Sequence, residues 1–418
     1  MMVRSVPWRL AIAGLLVVAG AACGESRDLP DDVLTRPPPQ AVIPEPIGGP
    51  TDTEPTAARA PASSEFGLLI DRLSEEGGYF PSDNLVSNET SYLHVLAVLA
   101  DTGVRGGAYL GVGPDQNFSY IAEIRPDVAF IIDIRRDNLL HHLLFKALFA
   151  NARNRIDYLC LMLGKPVPEN LEEWTAASID EIVVYVDTAR TTLDAFEAAS
   201  GKLLATVRSF GVSLSAADLG TIRGIHTMFF DYGLDIRYSN RSRGGMGRFP
   251  SWRRLLVETD LEGVQRGYLS DEAKFRWLKE FQQSNRLIPV VGDLAGPHAL
   301  AAIGRDVDSR GLDISAFYVS NVEQYLMQGP EFERFAATVA RLPIAKHAVI
   351  IRSYFARRTP IPQRVPGHLS TQLLERMDAF VETWNEGGYF TYLDLVTRNA
   401  IPLQPAPAGE IAREYSIR

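Results

Sequence analysis

The sequence predicts an α/β protein built on a doubly wound, mostly parallel β-sheet. Its 418 residues are 46% hydrophobic and 22% charged, which is the composition of an ordinary folded protein. Short apolar runs without strict polar alternation recur along the chain, and such runs are typical of strands that helices cover on both faces. Stretches with helical spacing lie between these runs. The alternation of the two patterns favours parallel strands joined by helices.

Five apolar runs are predicted to be strands, and they cover residues 108–112, 129–134, 287–293, 314–319 and 348–352. Helices are predicted over residues 118–123, 139–150, 297–303, 332–341 and 369–384. In a doubly wound sheet, ligands bind beyond the carboxyl ends of the strands, at the point where the strand order reverses. We therefore look for functional residues directly after the strands.

The chain divides into five parts by composition and pattern. We predict a signal peptide over 1–22, a lipidated cysteine and disordered tether over 23–65, the first part of the main domain over 66–150, a helical insertion over 151–285, and the second part of the domain over 286–418. The insertion separates the second strand from the third, and a crossover connection needs far fewer residues. We expect the insertion to cover or flank the cleft at the strand ends.

The first residues have the pattern of an export signal. Arg4 and Arg9 precede an apolar run, Leu10 to Ala22, that is too short to span a bilayer comfortably. The run leads into Cys23 through small residues, and this resembles a bacterial lipobox, in which cleavage leaves a lipid-modified cysteine at the new N-terminus. A plain secretory signal with an incidental cysteine is the alternative. The prediction is an exported, membrane-anchored lipoprotein of the bacterial cell envelope.

The segment after Cys23 has the composition of a tether. Nine of the 26 prolines lie between residues 24 and 65, with few aromatic residues among them. Such a segment cannot bury enough apolar surface to offset the entropy lost on ordering. It is predicted to hold the folded part away from the membrane surface.

Charge and cysteine content exclude several classes of function. The net charge of −9 argues against a general nucleic-acid binder, and no nucleic-acid partner is expected. Two cysteines, Cys23 and Cys160, cannot form a disulfide framework or a cysteine-rich zinc site. His141 and His142 are adjacent on a predicted helix, so their side chains point to different faces and a shared metal is not expected. No metal ligands are assigned.

The first candidate site is the glycine-rich turn Gly111-Val-Gly-Pro-Asp-Gln-Asn-Phe118, which follows the first strand. Gly111 and Gly113 allow a tight turn and close approach of the backbone to a ligand. Asp133 ends the second strand, 22 residues after Gly111, where an acid suits hydrogen bonding to ribose hydroxyl groups. A merely structural turn is the alternative. Asp115 and Asn117 in this turn are further candidate binding residues.

Polar residues near the other strands complete the candidate site. Asp293 follows the third strand, and Asn321 and Glu323 follow the fourth. These side chains converge at the strand ends if the sheet is parallel, and three acids with Asn321 could alternatively seat a divalent cation. Asn84 and Glu89 precede the first strand. They could bind a polar ligand or cap a helix that starts near Thr90.

These residues resemble the class I S-adenosylmethionine-dependent methyltransferases, whose fold is Rossmann-like. The resemblance implies that Gly111 and Gly113 belong to a nucleoside-binding loop, that Asp133 binds ribose and that Asp293 lies near adenine. The segment from Ser320 to Glu323 would then face the transferred methyl group. Two positions depart from the pattern: Tyr109 stands where an acid is usual, and Asp115 stands where a third glycine is common.

A closer resemblance is to an uncharacterised family of bacterial, often exported, methyltransferase-like proteins. It is carried by the segments 82–89, 111–118, 130–138, 291–297 and 318–325. The resemblance implies a methyltransferase-like domain that binds S-adenosylmethionine or a related nucleoside, and it assigns no catalytic residue. The alternative is a non-catalytic envelope protein that uses this fold to bind a small polar or anionic ligand or a protein partner.

The segment 237–254 combines six arginines with three aromatic residues. Arginine guanidinium groups bind phosphate or carboxylate groups in a bidentate manner. An anionic substrate or a phospholipid headgroup is one interpretation of this segment. A solvated loop that pairs with the protein's own carboxylates is the other.

The lipobox resemblance yields a direct prediction. Changing Cys23→Ser is expected to release the protein from membranes while leaving the folded domain intact, because each buried CH₂ of an acyl chain contributes about 0.8 kcal/mol to membrane binding. Membrane fractionation measures the release, and the melting temperature measures the integrity of the fold. A variant that sediments with membranes as the parent does would contradict lipidation at Cys23.

Overall fold

The computed structural model describes residues 64–239, 249–355 and 361–403. In this part of the chain the protein is a mixed α/β structure with a six-stranded, mostly parallel sheet. The strands are β1 (Ala108–Gly111), β2 (Val128–Asp133), β3 (Leu287–Val291), β4 (Ile314–Ser320), β5 (Ile344–Tyr354) and β6 (Thr371–Arg376). All five predicted strands are present. The sixth was not predicted.

Fifteen α-helices occupy the described residues. They are α1 (Glu65–Leu73), α2 (Leu96–Asp101), α3 (Gln116–Ile124), α4 (Arg136–Asn151), α5 (Arg155–Leu163), α6 (Ile179–Thr188), α7 (Leu193–Ser209), α8 (Ala216–Tyr232), α9 (Trp252–Leu256), α10 (Glu272–Gln283), α11 (Ala299–Ser309), α12 (Val322–Leu326), α13 (Glu331–Val339), α14 (Met377–Asn385) and α15 (Tyr392–Thr397). Of the helices in the described ranges, none combines the length and the apolar character needed to cross a bilayer. Cys23 and the predicted signal and tether lie outside the described residues, apart from the last two positions of the tether.

The strands are ordered β3-β2-β1-β4-β5-β6, and the first five are parallel. Leu110 at the centre of β1 is in register with Phe130 on β2 and with Phe317 on β4. The chain therefore runs outward from β1 to β3 and returns across the sheet to β4. Because the order reverses between β1 and β4, their connections leave in opposite directions and open a crevice at the carboxyl ends.

Strands β1 to β4 are buried along nearly their whole length, which accounts for their continuous apolar character. The predicted insertion corresponds to helices and loops between β2 and β3, and it packs around α4. Helix α4 contacts α7, α8 and α10 on one side and β2 and β3 on the other. It is buried on almost every face, so its sequence lacks the polar stripe of a surface helix.

The prediction of a helix over 369–384 is wrong for its first half. Residues Thr371–Arg376 form β6, which pairs antiparallel with β5, and only the second half is helical as α14. Gln372 and Glu375 of β6 are buried and bonded to distant elements: Gln372 donates to the hydroxyl oxygen of Tyr120 on α3 at 2.7 Å, and Glu375 accepts from Arg352 on β5. Such long-range pairing overrides local helical spacing.

A buried ion cluster joins the C-terminal part of the fold. The guanidinium group of Arg352 on β5 donates to both carboxylate oxygens of Glu323, at 2.5 and 3.1 Å, and also to Glu375 on β6. All three side chains are almost completely buried. Glu375 additionally accepts hydrogen bonds from Tyr389 and Asn399. The cluster therefore ties α12, β5, β6 and the segment after α14 together.

Removing the cation from this cluster is expected to be strongly destabilising. Arg352→Met leaves two buried carboxylates without a counter-charge, and breaking a buried pair in this way costs about 3–5 kcal/mol of unfolding free energy. The control is Arg341→Met, which removes an exposed arginine and is expected to change stability by about 0.5 kcal/mol or less. Denaturant unfolding measures both variants. Equal stability of the two variants would contradict the role of the cluster.

Candidate functional site

A cavity of about 350 Å³ lies at the carboxyl ends of β1, β2, β3 and β4. Six of the residues singled out in the sequence line it: Asn84, Glu89, Gly113, Asp133, Asp293 and Asn321. They come from the segment before β1 and from the ends of four strands. The structure thus brings these polar residues to one place. Its volume is within the range of cavities that hold small molecules and cofactors.

The glycine-rich turn forms one wall of the cavity through Gly113. This residue has φ +81°, a conformation that side chains with Cβ rarely adopt. A Cβ at this position would lie 3.3 Å from Nδ2 of Asn84 and 3.4 Å from Nε2 of Gln116. Glycine is therefore required here both by the backbone and by the space beside the cavity.

The carbonyl groups of the turn accept hydrogen bonds from two buried side chains, those of Asn117 and His142. The side-chain amide of Asn117 donates to the carbonyl oxygens of Val112 at 2.9 Å and Pro114 at 2.8 Å. Nε2 of His142 lies 2.9 Å from the carbonyl oxygen of Gly113 and must donate to it. Burial lowers the pKa of His142 to about 4, so the ring is neutral at pH 7. These bonds fix the turn before any ligand binds.

Four other predicted binding residues do not line the cavity, and each has a packing role. A Cβ on Gly111 would lie 2.0 Å from Oδ1 of Asn117, so this glycine makes room for the buried amide. The side chain of Asn117 is used in bonds within the fold: its amide group donates to carbonyl oxygens of the turn, and its Oδ1 accepts a hydrogen bond from the hydroxyl group of Tyr109. Glu323 is the buried partner of Arg352. The spacing in the sequence was suitable for binding, but these side chains point elsewhere.

Asp115 is the fourth of these residues, and it binds the helical insertion. Its Oδ2 accepts hydrogen bonds from Nε1 of Trp252 at 2.9 Å and from the hydroxyl of Tyr268 at 3.1 Å. Burial raises the pKa of Asp115 to about 6, and these two donors partly oppose the shift. The residue that replaces a glycine in the methyltransferase pattern thus connects the turn to the insertion.

Asp133 is paired with a neighbouring arginine that sequence reasoning missed. Arg135 donates from Nε and Nη2 to the two carboxylate oxygens of Asp133, each at 3.2 Å, and its backbone N–H donates to Oδ1 at 2.9 Å. Nη1 of Arg135 also donates to the carbonyl oxygens of Ser82 and Asp83, both at 2.8 Å. The pair therefore fixes the segment before β1 over the end of β2.

Asp293 and Asn321 stand at the ends of the neighbouring strands. Asp293 accepts a hydrogen bond from the backbone N–H of Ala295 at 2.9 Å, and its own N–H donates to Glu75 at 2.8 Å. Glu75 also accepts from the backbone N–H of His298, immediately before α11. Asn321 precedes α12. The bonds to Glu75 and within the loop fix the direction of the loop after β3 at the cavity.

Glu89 is the most deeply buried carboxylate of the cavity, with 1% of its surface exposed. It accepts hydrogen bonds from the hydroxyl groups of Tyr318 at 2.8 Å and Ser320 at 2.5 Å, and from Nε2 of Gln372 at 3.1 Å. Burial raises its pKa, although these three donors favour the charged form. Ser320 adopts φ +53°, a strained conformation that accompanies the contact of its hydroxyl with Glu89.

Several cavity residues were not predicted from the sequence. Gln116 is 6% exposed, and within the described part of the chain its Oε1 has no hydrogen-bond partner. Phe80 and Tyr325 pack edge to face, with ring centroids 5.3 Å apart, and both line the cavity. Gln116 lay inside the glycine-rich segment and could have been found from its position. The aromatic pair joins distant segments and had no local signal.

The insertion reaches the cavity through Tyr238, which begins the arginine-rich segment. The described ends of that segment pair with the protein itself: Arg253 with Asp187 at 2.8 Å, and Arg254 with Glu258 at 3.5 Å. Residues 240–248 of the segment lie outside the described residues. At the carboxyl-terminal end of the segment two arginines therefore pair with the protein's own carboxylates, whereas Arg237 at its start donates to the carbonyl oxygen of Phe249 at 2.7 Å.

Neither cysteine chemistry nor a metal cluster is found in the part of the chain that the structure describes. Cys160 is a buried free thiol, and burial raises its pKa to about 12, so it is not a reactive thiolate at pH 7. Among residues 64–239, 249–355 and 361–403, no three histidine, cysteine or acidic side chains are grouped so as to hold a metal ion.

Comparison with known proteins assigns the chain to a family. The family described as "Domain of unknown function (DUF7790)" matches residues 84–391, which is most of the described structure and includes every residue that lines the cavity except Phe80. The chain belongs to this family. No curated protein matches it.

The burial of Asp115 predicts a pH dependence of stability. The folded pKa of about 6 lies above the ordinary value of 3.8 for an aspartic acid side chain, so the folded state binds the proton more tightly. The free energy of unfolding therefore falls as the pH rises from 4 to 6, and this residue contributes a decrease of about 2 kcal/mol over that range. Asp115→Asn should lack this contribution, because its amide oxygen still accepts both hydrogen bonds but does not titrate.

The measurement compares the free energy of unfolding of the two proteins between pH 4 and 7. The difference between wild type and Asp115→Asn should change by about 2 kcal/mol over this range, in favour of the variant at the higher pH. Other carboxylates contribute equally to both proteins and cancel. A constant difference would mean that Asp115 does not titrate in this range.

Proposed function

We propose that this member of the DUF7790 family binds a nucleoside-type ligand in the cavity at the strand ends, and that its ligand is S-adenosylmethionine or a close relative. In this proposal the domain has a Rossmann-like, methyltransferase-like fold. One observation carries the proposal: Gly113, Asp133 and Asp293, which follow β1, β2 and β3 in turn, line a single cavity.

The sheet supports the Rossmann-like part of the proposal. The order β3-β2-β1-β4-β5 with all strands parallel is the order of doubly wound nucleotide-binding sheets, and β6 differs only in its antiparallel direction. In such sheets the ligand occupies the crevice between the first and fourth strands. The cavity lies at this position.

The residues present fit a nucleoside. Gly113 leaves the space that a Cβ would fill, and the unpaired Oε1 of Gln116 offers a buried acceptor beside it. Oδ1 of Asp133 already accepts two bonds from Arg135, whereas Oδ2 accepts one, so Oδ2 keeps capacity for a ribose hydroxyl. Asp293 would bind near the base. When bound, S-adenosylmethionine would supply a transferable methyl group.

A second candidate function is binding without catalysis. The lipobox-like segment at Cys23 favours export, and compartments outside the cytoplasm are not expected to supply S-adenosylmethionine freely. We propose that the protein is tethered to the cell envelope in either case. Formation of S-adenosylhomocysteine from S-adenosylmethionine separates an enzyme from a binding protein.

The turn provides the test of the proposed function. Gly113→Ala should abolish binding of S-adenosylmethionine and S-adenosylhomocysteine, because the added Cβ lies at the cavity wall. The matched control is Gly103→Ala. Gly103 has a similar φ of +72°, but nothing lies within 4 Å of the position of a Cβ. Both variants should lose about 1 kcal/mol of unfolding free energy from backbone strain, and only the first should lose the ligand.

Titration calorimetry measures affinity, and denaturant unfolding measures stability. A third variant, Asp133→Asn, removes a charged hydrogen-bond acceptor. Its binding free energy for S-adenosylmethionine and S-adenosylhomocysteine should weaken by about 1.5–3 kcal/mol. That variant also weakens the pair with Arg135, so the glycine variants are the cleaner comparison. If neither nucleoside binds the wild-type protein, or if both glycine variants bind as the wild type does, the proposed function is wrong.

A further inference from the structure

The charges around the cavity are unbalanced. Among the described residues, four carboxylates line it, from Glu89, Asp133, Asp293 and Glu331, against one guanidinium group, from Arg135. Two of the carboxylates are already neutralised, Asp133 by Arg135 and Glu331 by Arg334 at 3.0 Å. Within the described residues, no cationic side chain lies within 4 Å of the carboxylate of Glu89 or Asp293.

Glu89 is the more consequential of the two because it is almost fully buried. Its three partners, Tyr318, Ser320 and Gln372, are neutral hydrogen-bond donors. They orient the carboxylate but supply no counter-charge. An ionised carboxylate is costly to bury without a cation, and the attraction of a bound cation offsets this cost and contributes to affinity.

The remaining walls of the cavity also suit a cation. Phe80 and Tyr325 are aromatic, and aromatic ring faces attract sulfonium and quaternary ammonium groups. Gln116, which is more than nine-tenths buried, has an unpaired acceptor atom, Oε1. Acceptors, ring faces and carboxylates are all complementary to positive charge, and an anionic ligand would meet repulsion.

We propose that the cavity selects an organic cation, a sulfonium or quaternary ammonium group, and that Glu89 is its counter-ion. The sulfonium form of this proposal rests on the proposed function, since it identifies the charged group of S-adenosylmethionine as what the cavity recognises. The role of Glu89 is to bind and orient this charge. The preference for a positively charged group is a property of the cavity, so it should also be observed with cations that carry no nucleoside.

Two pairs of probes test the proposal, and each pair differs in charge at one centre. Choline is compared with its uncharged carbon isostere, 3,3-dimethylbutan-1-ol, by thermal-shift titration. S-adenosylmethionine is compared with S-adenosylhomocysteine by calorimetry. The wild-type protein should prefer the charged member of a pair by about tenfold or more, the scale of a cation held by aromatic rings and a carboxylate.

The variants identify the counter-ion. Glu89→Gln should reduce the preference for the charged member to less than about threefold, while Glu89→Asp, which keeps the charge, should retain most of it. Glu280→Gln makes the same chemical change on an exposed residue of α10 and should leave the preference unchanged. If Glu89→Gln does not fold, Ser320→Ala replaces it, because loss of that donor should weaken choline binding several-fold.

The outcomes separate this proposal from the previous one. If neither S-adenosylmethionine nor S-adenosylhomocysteine binds, the proposed function is wrong. The comparison of choline with 3,3-dimethylbutan-1-ol still tests whether the cavity prefers a positive charge. Equal binding of both members in each pair that binds, or no binding of any probe, overturns the charge selection. A folded Glu89→Gln variant that keeps the full preference overturns the assignment of Glu89.

Discussion

The salt bridge between Arg135 and Asp133 is the interaction on which the cavity depends. Through it the end of β2 binds the carbonyl oxygens of Ser82 and Asp83. The same segment is fixed at its other end by Glu89, which is bonded to β4 and β6. A chain held at both ends lies across the carboxyl ends of the strands, and the space beneath it is the cavity. The site exists because these two polar anchors hold one loop in place.

Three buried carboxylates in this molecule are stabilised in three different ways. Glu323 has a cationic partner, Arg352, and belongs to the framework. Asp115 has two neutral donors from the insertion. Glu89 has three neutral donors and borders the cavity. Only the last combines burial, the absence of a cation within the described residues and contact with space that a ligand can fill. This combination is the reason why we propose a binding role for Glu89 and not for the other two.

The strands and the main site loop could be predicted because their signals are local. An apolar run shows a buried strand, and a glycine or acid directly after it lies at the same edge of a parallel sheet as its counterparts. Gly113, Asp133 and Asp293 follow from this rule alone. Asp115 and Asn117 have equally suitable spacing, but spacing does not determine whether a side chain points to the cavity or to the core. Strand β6 could not be predicted either, since Gln372 and Glu375 are satisfied only by distant partners.

The glycine-rich turn has two faces, and this explains why the insertion matters to the site. Gly113 borders the cavity, while Asp115, two residues later, binds Trp252 and Tyr268 from the helices inserted between β2 and β3. Nε2 of His142 on α4 forms a hydrogen bond with the carbonyl oxygen of Gly113. The insertion therefore contacts the turn directly. A change in the packing of the insertion would move the part of the cavity wall that Gly113 forms. The insertion thus supports the turn from the side opposite Gly113, and if the cavity binds the ligand we propose, that support should matter to binding as the lining residues do.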